Sequence, residues 1–66
     1  MNINKLKGKM VEKEISAEQL AEFLGIHVSS LYRKFGNAEK ITVGEAIKIK
    51  AALELDNADA CEIFLN

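Results

Sequence analysis

The 66-residue chain has no proline, no tryptophan, one cysteine and only 6% aromatic residues. Without proline, helix ends and turns must be marked by capping side chains and by glycine. The lone Cys61 excludes an internal disulfide and a multi-thiolate zinc site, and no second histidine or thiolate stands at ligand spacing from His27. No metal and no cofactor is therefore expected. No apolar run approaches the roughly 18–20 residues that cross a bilayer, and Met1-Asn2-Ile3-Asn4-Lys5 has no signal-like apolar stretch. The expectation is a cytoplasmic protein without a membrane partner. Large charge excess is missing too, since 9 basic against 10 acidic residues leave a formal −1. A chain this short makes one domain, residues 1–66, and buries only about 60% of its unfolded surface. Catalytic clefts are hard to build on such a core, and Glu18 and Glu22, an i, i+4 carboxylate pair, have no nucleophile or histidine beside them in the pattern. Neither an enzyme nor a small-molecule substrate is expected.

What is present is helical periodicity. Ile3, Leu6 and Met10 recur among Lys5, Lys7, Lys9, Glu12 and Lys13, which predicts an amphipathic helix over residues 3–13. Ser16-Ala17-Glu18-Gln19 has the form of a capping box that opens a second helix over 17–24, with Leu20, Ala21, Phe23 and Leu24 as its apolar side and Gly25 as its stop. Val28, Leu31 and Phe35 mark a third helix over 28–35, with His27 near its N-cap and Gly36-Asn37 after it. Thr42-Val43-Gly44-Glu45 is a second capping box, opening a helix over 43–54 whose apolar positions are Val43, Ala46, Ile47, Ile49, Ala52 and Leu53. Ile47-Lys48-Ile49-Lys50 also alternates as a strand would, but the length and the alanines favour helix. Asp56 then caps a last helix over 57–64 with Ala60, Ile63, Phe64 and Leu65. The fold class is all-α with five short helices, and with no staple in so thin a core a second copy is a plausible source of further apolar cover.

Only Gly25-Ile26-His27 separates the second and third helices. Glycine first and an apolar residue second is the spacing of a helix-turn-helix: Gly25 permits positive φ, Ile26 plugs the corner, and Ala21 leaves room for a close crossing. Charge is distributed unevenly about this unit. Residues 27–50 hold Arg33, Lys34, Lys40, Lys48 and Lys50 against Glu39 and Glu45, whereas residues 54–66 hold Glu54, Asp56, Asp59 and Glu62 and no base. Such a chain can turn a positive face to DNA and an acidic end away from it, with modest affinity and strong salt dependence.

The run Ser16-x-x-Gln-Leu-Ala-x-x-Leu-Gly-Ile-x-x-Ser-x-Leu-Tyr-Arg, ending at Arg33, resembles the lambda repressor and Cro-like helix-turn-helix family, also called the XRE family. Ser29 to Lys34 and the end Ala60-Cys61-Glu62-Ile63-Phe64-Leu65 are similar to small phage Cro-like regulators. The resemblance implies a lambda repressor-like DNA-binding domain that binds an operator as a homodimer, with the third helix in the major groove. It implies base contacts from Val28, Ser29, Tyr32 and Arg33, and phosphate contacts from Ser16, His27, Ser30, Lys34, Asn37 and Lys40. Three positions depart from the family pattern: Ala17 stands where a phosphate-binding glutamine is common, Lys34 where an apolar residue is common, and His27 at a usually small polar N-cap.

Helical geometry agrees with the base-contact set, because Val28, Ser29, Tyr32 and Arg33 lie within one arc of roughly 140° at about 100° per residue. Arg33 suits two parallel bonds to guanine O6 and N7, and Tyr32 suits a phosphate or a thymine methyl. Each residue also has a plainer role. Arg33 can be a solvated surface arginine, Tyr32 a cover for the core, Val28 a core residue, Ser29 and Ser30 local backbone partners, and Asn37 a C-cap. The Lys5, Lys7 and Lys9 run reads as a solvated face, and Cys61 as a small core or interface residue. Ile63, Phe64 and Leu65 are the candidate dimer contact, with packing on the first helix as the alternative. The expectation is a phage-type repressor at a palindromic operator whose half-sites lie about 34 Å apart. The rival is a helix-turn-helix module of antirepressor or antitoxin type that binds another protein, a choice that fold does not settle.

Overall fold

The computed structural model describes residues 1–37 and 40–65, and these form five helices with no strand among them: α1 (Ile3–Glu12), α2 (Ala17–Leu24), α3 (Val28–Gly36), α4 (Val43–Ala52) and α5 (Asn57–Phe64). None of them is long and apolar enough to cross a membrane. Four side-chain caps set the starts. Asn2, Ser16, Thr42 and Asp56 each accept a hydrogen bond from the backbone N–H three residues on, and at Ser16 and Thr42 the reciprocal bonds from Gln19 and Glu45 complete capping boxes. The Ile47–Lys50 stretch is helical, not a strand.

Three helices end in the same way. The N–H of Ile15, Ile26 and Leu55 reaches back to the carbonyl of Met10, Ala21 and Lys50, around a left-handed residue at Glu14 (φ 57°), Gly25 (φ 73°) and Glu54 (φ 51°). This closure satisfies two otherwise unpaired carbonyls per helix and folds the following apolar side chain back toward the core. It also explains why α1 and α4 stop at Glu12 and Ala52, earlier than residues 13 and 54: Ile15 and Leu55 must turn inward.

The core is built on α2, which packs against both α3 and α4, while α1 packs against α5. Leu20, Ala21 and Leu24 of α2 cluster with Leu31 of α3, Ile49 of α4 and Leu53 just after it, with Leu6, Met10, Leu55 and Ile63 closing the rest. Ile26 sits against this cluster as a corner plug. Phe23 does not join it and is 55% exposed, because it lies about 100° from Leu24, on the edge of the buried stripe. Cys61 is exposed and so is not a core residue.

Two lysines of the α1 run, Lys5 and Lys9, are tied to the acidic end of the chain. Lys5 pairs with Glu62, and Lys9 with Glu12 at 3.1 Å and Asp59 at 3.2 Å, contacts that hold the Lys9 ammonium pKa above its ordinary value, the Glu12 hydrogen bond contributing most. The Asn2 N–H donates to the Ile63 carbonyl at 2.7 Å, which fastens the N-terminus onto α5.

The shared left-handed ends give a paired stability prediction of opposite sign. Glu54→Gly relieves a strained residue and removes a carboxylate from a helix C-terminus, so it is expected to raise stability by about 0.5–1 kcal/mol. Gly25→Ala meets no atom within 4 Å of the added Cβ, yet φ stays at +73°, and a loss of about 1 kcal/mol is expected. Urea unfolding of the two variants checks both signs.

Candidate nucleic-acid interface

Helix α3 presents three faces, set by its sequence. Val28, Leu31 and Phe35 fall within about 60° of one another and turn inward, Leu31 fully buried and the other two partly buried against the core. With that stripe fixed, Ser29 and Tyr32 must turn outward; both are exposed, and Tyr32 leaves 55% of its surface in solvent. Arg33 follows them about 40° beyond Ser29, and on its other side stand Ser30 and Lys34.

Arg33 therefore borders two surfaces. One is the outward face with Ser29 and Tyr32. The other is a depression of about 490 Å³ lined by Ser30, Arg33, Lys34, Asn37 and Lys40. Five residues named from the sequence as DNA contacts thus come together in one place, and among the described residues no carboxylate lines it.

The side chains of this depression are held to different degrees. Arg33 donates through Nη2 to the Ser30 hydroxyl at 3.1 Å, which narrows the range of the guanidinium and leaves its remaining donors facing outward from that bond. The Lys34 ammonium is engaged inside the protein. It donates to Glu45 Oε1 at 3.1 Å and to the Lys40 carbonyl at 3.1 Å, joining α3 to the start of α4. Its charge is largely balanced there, so it acts as a strut for the depression before it acts on any anion. Among the described residues no carboxylate pairs with Arg33 or Lys40. These two supply the uncompensated positive charge.

Other residues expected at a DNA surface are placed apart from the depression. His27 is the exposed N-cap of α3 and its side chain makes no capping bond. Ser16 is exposed at the start of α2, with its hydroxyl committed to the Gln19 N–H at 3.1 Å. Val28 is partly buried and offers only an edge. Lys7 stands over the Phe35 ring, 6.0 Å from its centroid, at the outer limit of a cation–π contact. At the far end of the chain, Ile63 is fully buried within its own protomer and has no surface for a partner, whereas Phe64 is half-buried and Leu65 exposed. Packing on the protomer's own core, the alternative for this segment, accounts for Ile63.

A second concave surface was not among the sequence expectations. Val43, Ile47 and Leu65 are exposed and line a groove of about 450 Å³ together with Met1, Ile41, Thr42, Ala46, Lys50 and Phe64. The signal was in the spacing of α4. Ile47 and Ile49 are two residues apart, about 200° around a helix, so a helix that buries Ile49 must expose Ile47. Among the described residues no group of three histidine, cysteine or acidic side chains is placed to hold a metal ion.

Glu45 links the site to pH. Its carboxylate accepts from the Thr42 N–H at 3.0 Å and from Lys34, and these contacts, the Thr42 bond first, hold its pKa below the ordinary 4.5. A depressed carboxyl contributes stability that is present above the unfolded value and is lost as pH falls through the folded one. Glu45→Gln keeps an acceptor for the cap but not the charge, and is expected to lower stability by about 1 kcal/mol near pH 7. The deficit should shrink below about pH 4 as the native carboxylate is protonated. Unfolding curves at both ends of that range measure it; a deficit of constant size would show that the charge is not what stabilises the α3–α4 link.

No family model, no curated protein and no solved structure matches the chain.

Proposed function

We propose that the chain is a sequence-specific, double-stranded DNA-binding transcriptional regulator, a Cro-like repressor that occupies a palindromic operator with α3 in the major groove. The observation that carries this reading is the pairing of an outward α3 face, Ser29-Tyr32-Arg33, with a basic depression that begins at the same arginine and has no carboxylate among its described lining residues. With its side chains an α-helix is about 10–12 Å across, which matches the roughly 12 Å width of the groove that α3 would enter.

Each side chain then has a defined task. Arg33, steadied by Ser30, offers its fork to guanine O6 and N7. Tyr32 packs on a thymine methyl or donates to a phosphate, Ser29 bonds a base edge, and Val28 adds an apolar edge. Lys40 and Asn37 grip the backbone beside the groove, and His27 meets a phosphate at the helix N-terminus, where the unpaired N–H groups favour an anion. Lys34 holds the loop that carries Lys40 through its bond to the Lys40 carbonyl. Repression follows from occupancy, since a bound protomer covers the promoter-side groove that another protein needs.

The rival reading, a helix-turn-helix module that binds another protein, is favoured by the apolar groove on α4 and by the net charge of −1. Fluorescence anisotropy on duplex DNA separates the two. Lys40→Ala is expected to weaken binding about equally on all sequences and to reduce the slope of log K against log salt by about 1 per protomer. Arg33→Ala is expected to relax discrimination at one base pair per half-site by about 1–3 kcal/mol. An Arg33 variant with unchanged sequence preference removes that residue from base reading, and absence of salt-sensitive binding in the parent protein moves the reading to the rival.

A further inference from the structure

Among the described residues that line the basic depression three carry positive charge, Arg33, Lys34 and Lys40, yet only two of them are available to an anion. The Lys34 ammonium is spent on Glu45 Oε1 and on the Lys40 carbonyl, each at 3.1 Å. Glu45 is not part of the lining and holds the lysine from outside it. Nor can the carboxylate follow Lys34 outward. Its Oε1 also accepts from the Thr42 N–H at 3.0 Å, the Glu45 N–H donates to Thr42 Oγ1 at 3.1 Å, and the first turn of α4 favours negative charge. The two side chains are 23% and 17% exposed, so salt screens this pair less than one on the open surface. A capping box accepts glutamine or glutamate at this position, and only glutamate brings the charge. The box at Ser16 is completed by Gln19, whereas the box beside the depression carries Glu45.

We infer that Glu45 is a specificity-determining residue: it withholds Lys34 from phosphate and so suppresses binding to polyanions of arbitrary sequence. The inference takes its purpose from the operator-binding reading, while the restraint itself is a property of the Lys34–Glu45 pair. Phosphate contacts carry no sequence information, so each added one strengthens binding to every duplex. With Lys34 restrained the depression offers the charges of Arg33 and Lys40, and with Lys34 released it offers one more. One further neutralised phosphate steepens log K against log salt by about 0.9, which amounts to about fivefold in affinity near 0.15 M salt.

On an operator that gain is offset. Lys34 ties down the Lys40 carbonyl, and a lysine that leaves Glu45 to reach outward gives up this tie as well. Lys40 then loses the fixed position that a contact in one register needs. A non-specific complex forms in many registers and loses less. Glu45 thus trades affinity for selectivity, which suits a regulator that must find one site among a large excess of others.

Glu45→Gln keeps the capping acceptor and removes the charge. In fluorescence anisotropy on a random-sequence duplex it is expected to bind about fivefold more tightly than the native chain near 0.15 M salt, with a slope steeper by about 1. On the duplex that the native chain prefers, the change is expected to stay below about twofold, so discrimination falls. Removal of a negative charge near any basic surface also strengthens DNA binding, and Lys34→Met separates the two causes. In that background Glu45→Gln is expected to gain less than about twofold, and the doubly substituted protein to keep the native slope. The double variant leaves neither charge unpaired and carries the test should Glu45→Gln alone unfold. No gain on random duplex, an equal gain with and without Lys34, or an equal gain on preferred and random duplexes overturns the proposal. So does a double variant whose slope is lower by about 1, because Lys34 of the native chain would then already contact phosphate. Heparin, a polyanion without bases, separates the inference from the reading it rests on. A Lys34-dependent gain on heparin, with no duplex binding by the native chain, upholds the restraint and removes the operator reading. Sequence-selective DNA binding by the native chain with no gain for Glu45→Gln does the reverse.

Discussion

The stripe Leu20-Ala21-Leu24 on α2 is the constraint from which the other arrangements follow. α2 is eight residues long, yet α3 packs on one side of it and α4 on another, and the small side chain of Ala21 is buried where a larger one would hold the helices apart. Once α3 is seated by Leu31, its remaining positions have no freedom. Ser29 and Tyr32 face water, Arg33 stands at the border, and Ser30 and Lys34 turn toward the start of α4. Burial of Ile49 on α4 and of Leu53 just after it likewise forces Val43 and Ile47 outward. One buried stripe thus turns a polar face of α3 and an apolar face of α4 toward solvent at once.

Electrostatics complete this division. With only a slight net charge, the chain gains a basic surface by arranging charges, not by accumulating them. Lys5 and Lys9 of α1 are matched by Glu62, Asp59 and Glu12, and Lys34 is matched by Glu45. Arg33 and Lys40 remain without a carboxylate partner among the described residues. The same cap at Thr42 that starts α4 also fixes Glu45, and through Lys34 it reaches the carbonyl of Lys40. A helix cap is therefore part of the support of the candidate site.

Much of the fold was legible because its starts are written in short-range chemistry. Ser16 with Gln19, Thr42 with Glu45, and Asp56 are side-chain caps that need no tertiary information, and the turn at Gly25 is marked by the residue itself. The ends of α1 and α4 were less legible, since Glu14 and Glu54 occupy a backbone region that glutamate seldom adopts and only the pull of Ile15 and Leu55 into the core puts them there. Facing was legible where the apolar stripe is single, as on α3. It failed where apolar residues surround a helix: Phe23 belongs to the apolar side of α2 by sequence yet is exposed, and the apolar positions of α4 do not form one stripe, since Ile47 and Ile49 cannot share a face. The same difficulty hid the groove and led to Ile63, which is enclosed while Glu62 and Leu65 beside it are exposed. The internal engagement of Lys34 depends on Glu45 eleven residues away and on the path of the intervening loop, which spacing alone does not define.

The measurement that tests the central claim most directly is affinity selection from a random duplex library at moderate salt with the native chain. If α3 reads an operator for a two-fold pair, the enriched sequences converge on an inverted repeat whose half-sites lie about one helical turn apart, roughly 34 Å, and the enrichment is lost at high salt. A library that emerges without any enriched motif would contradict the account and assign these surfaces to the recognition of another protein.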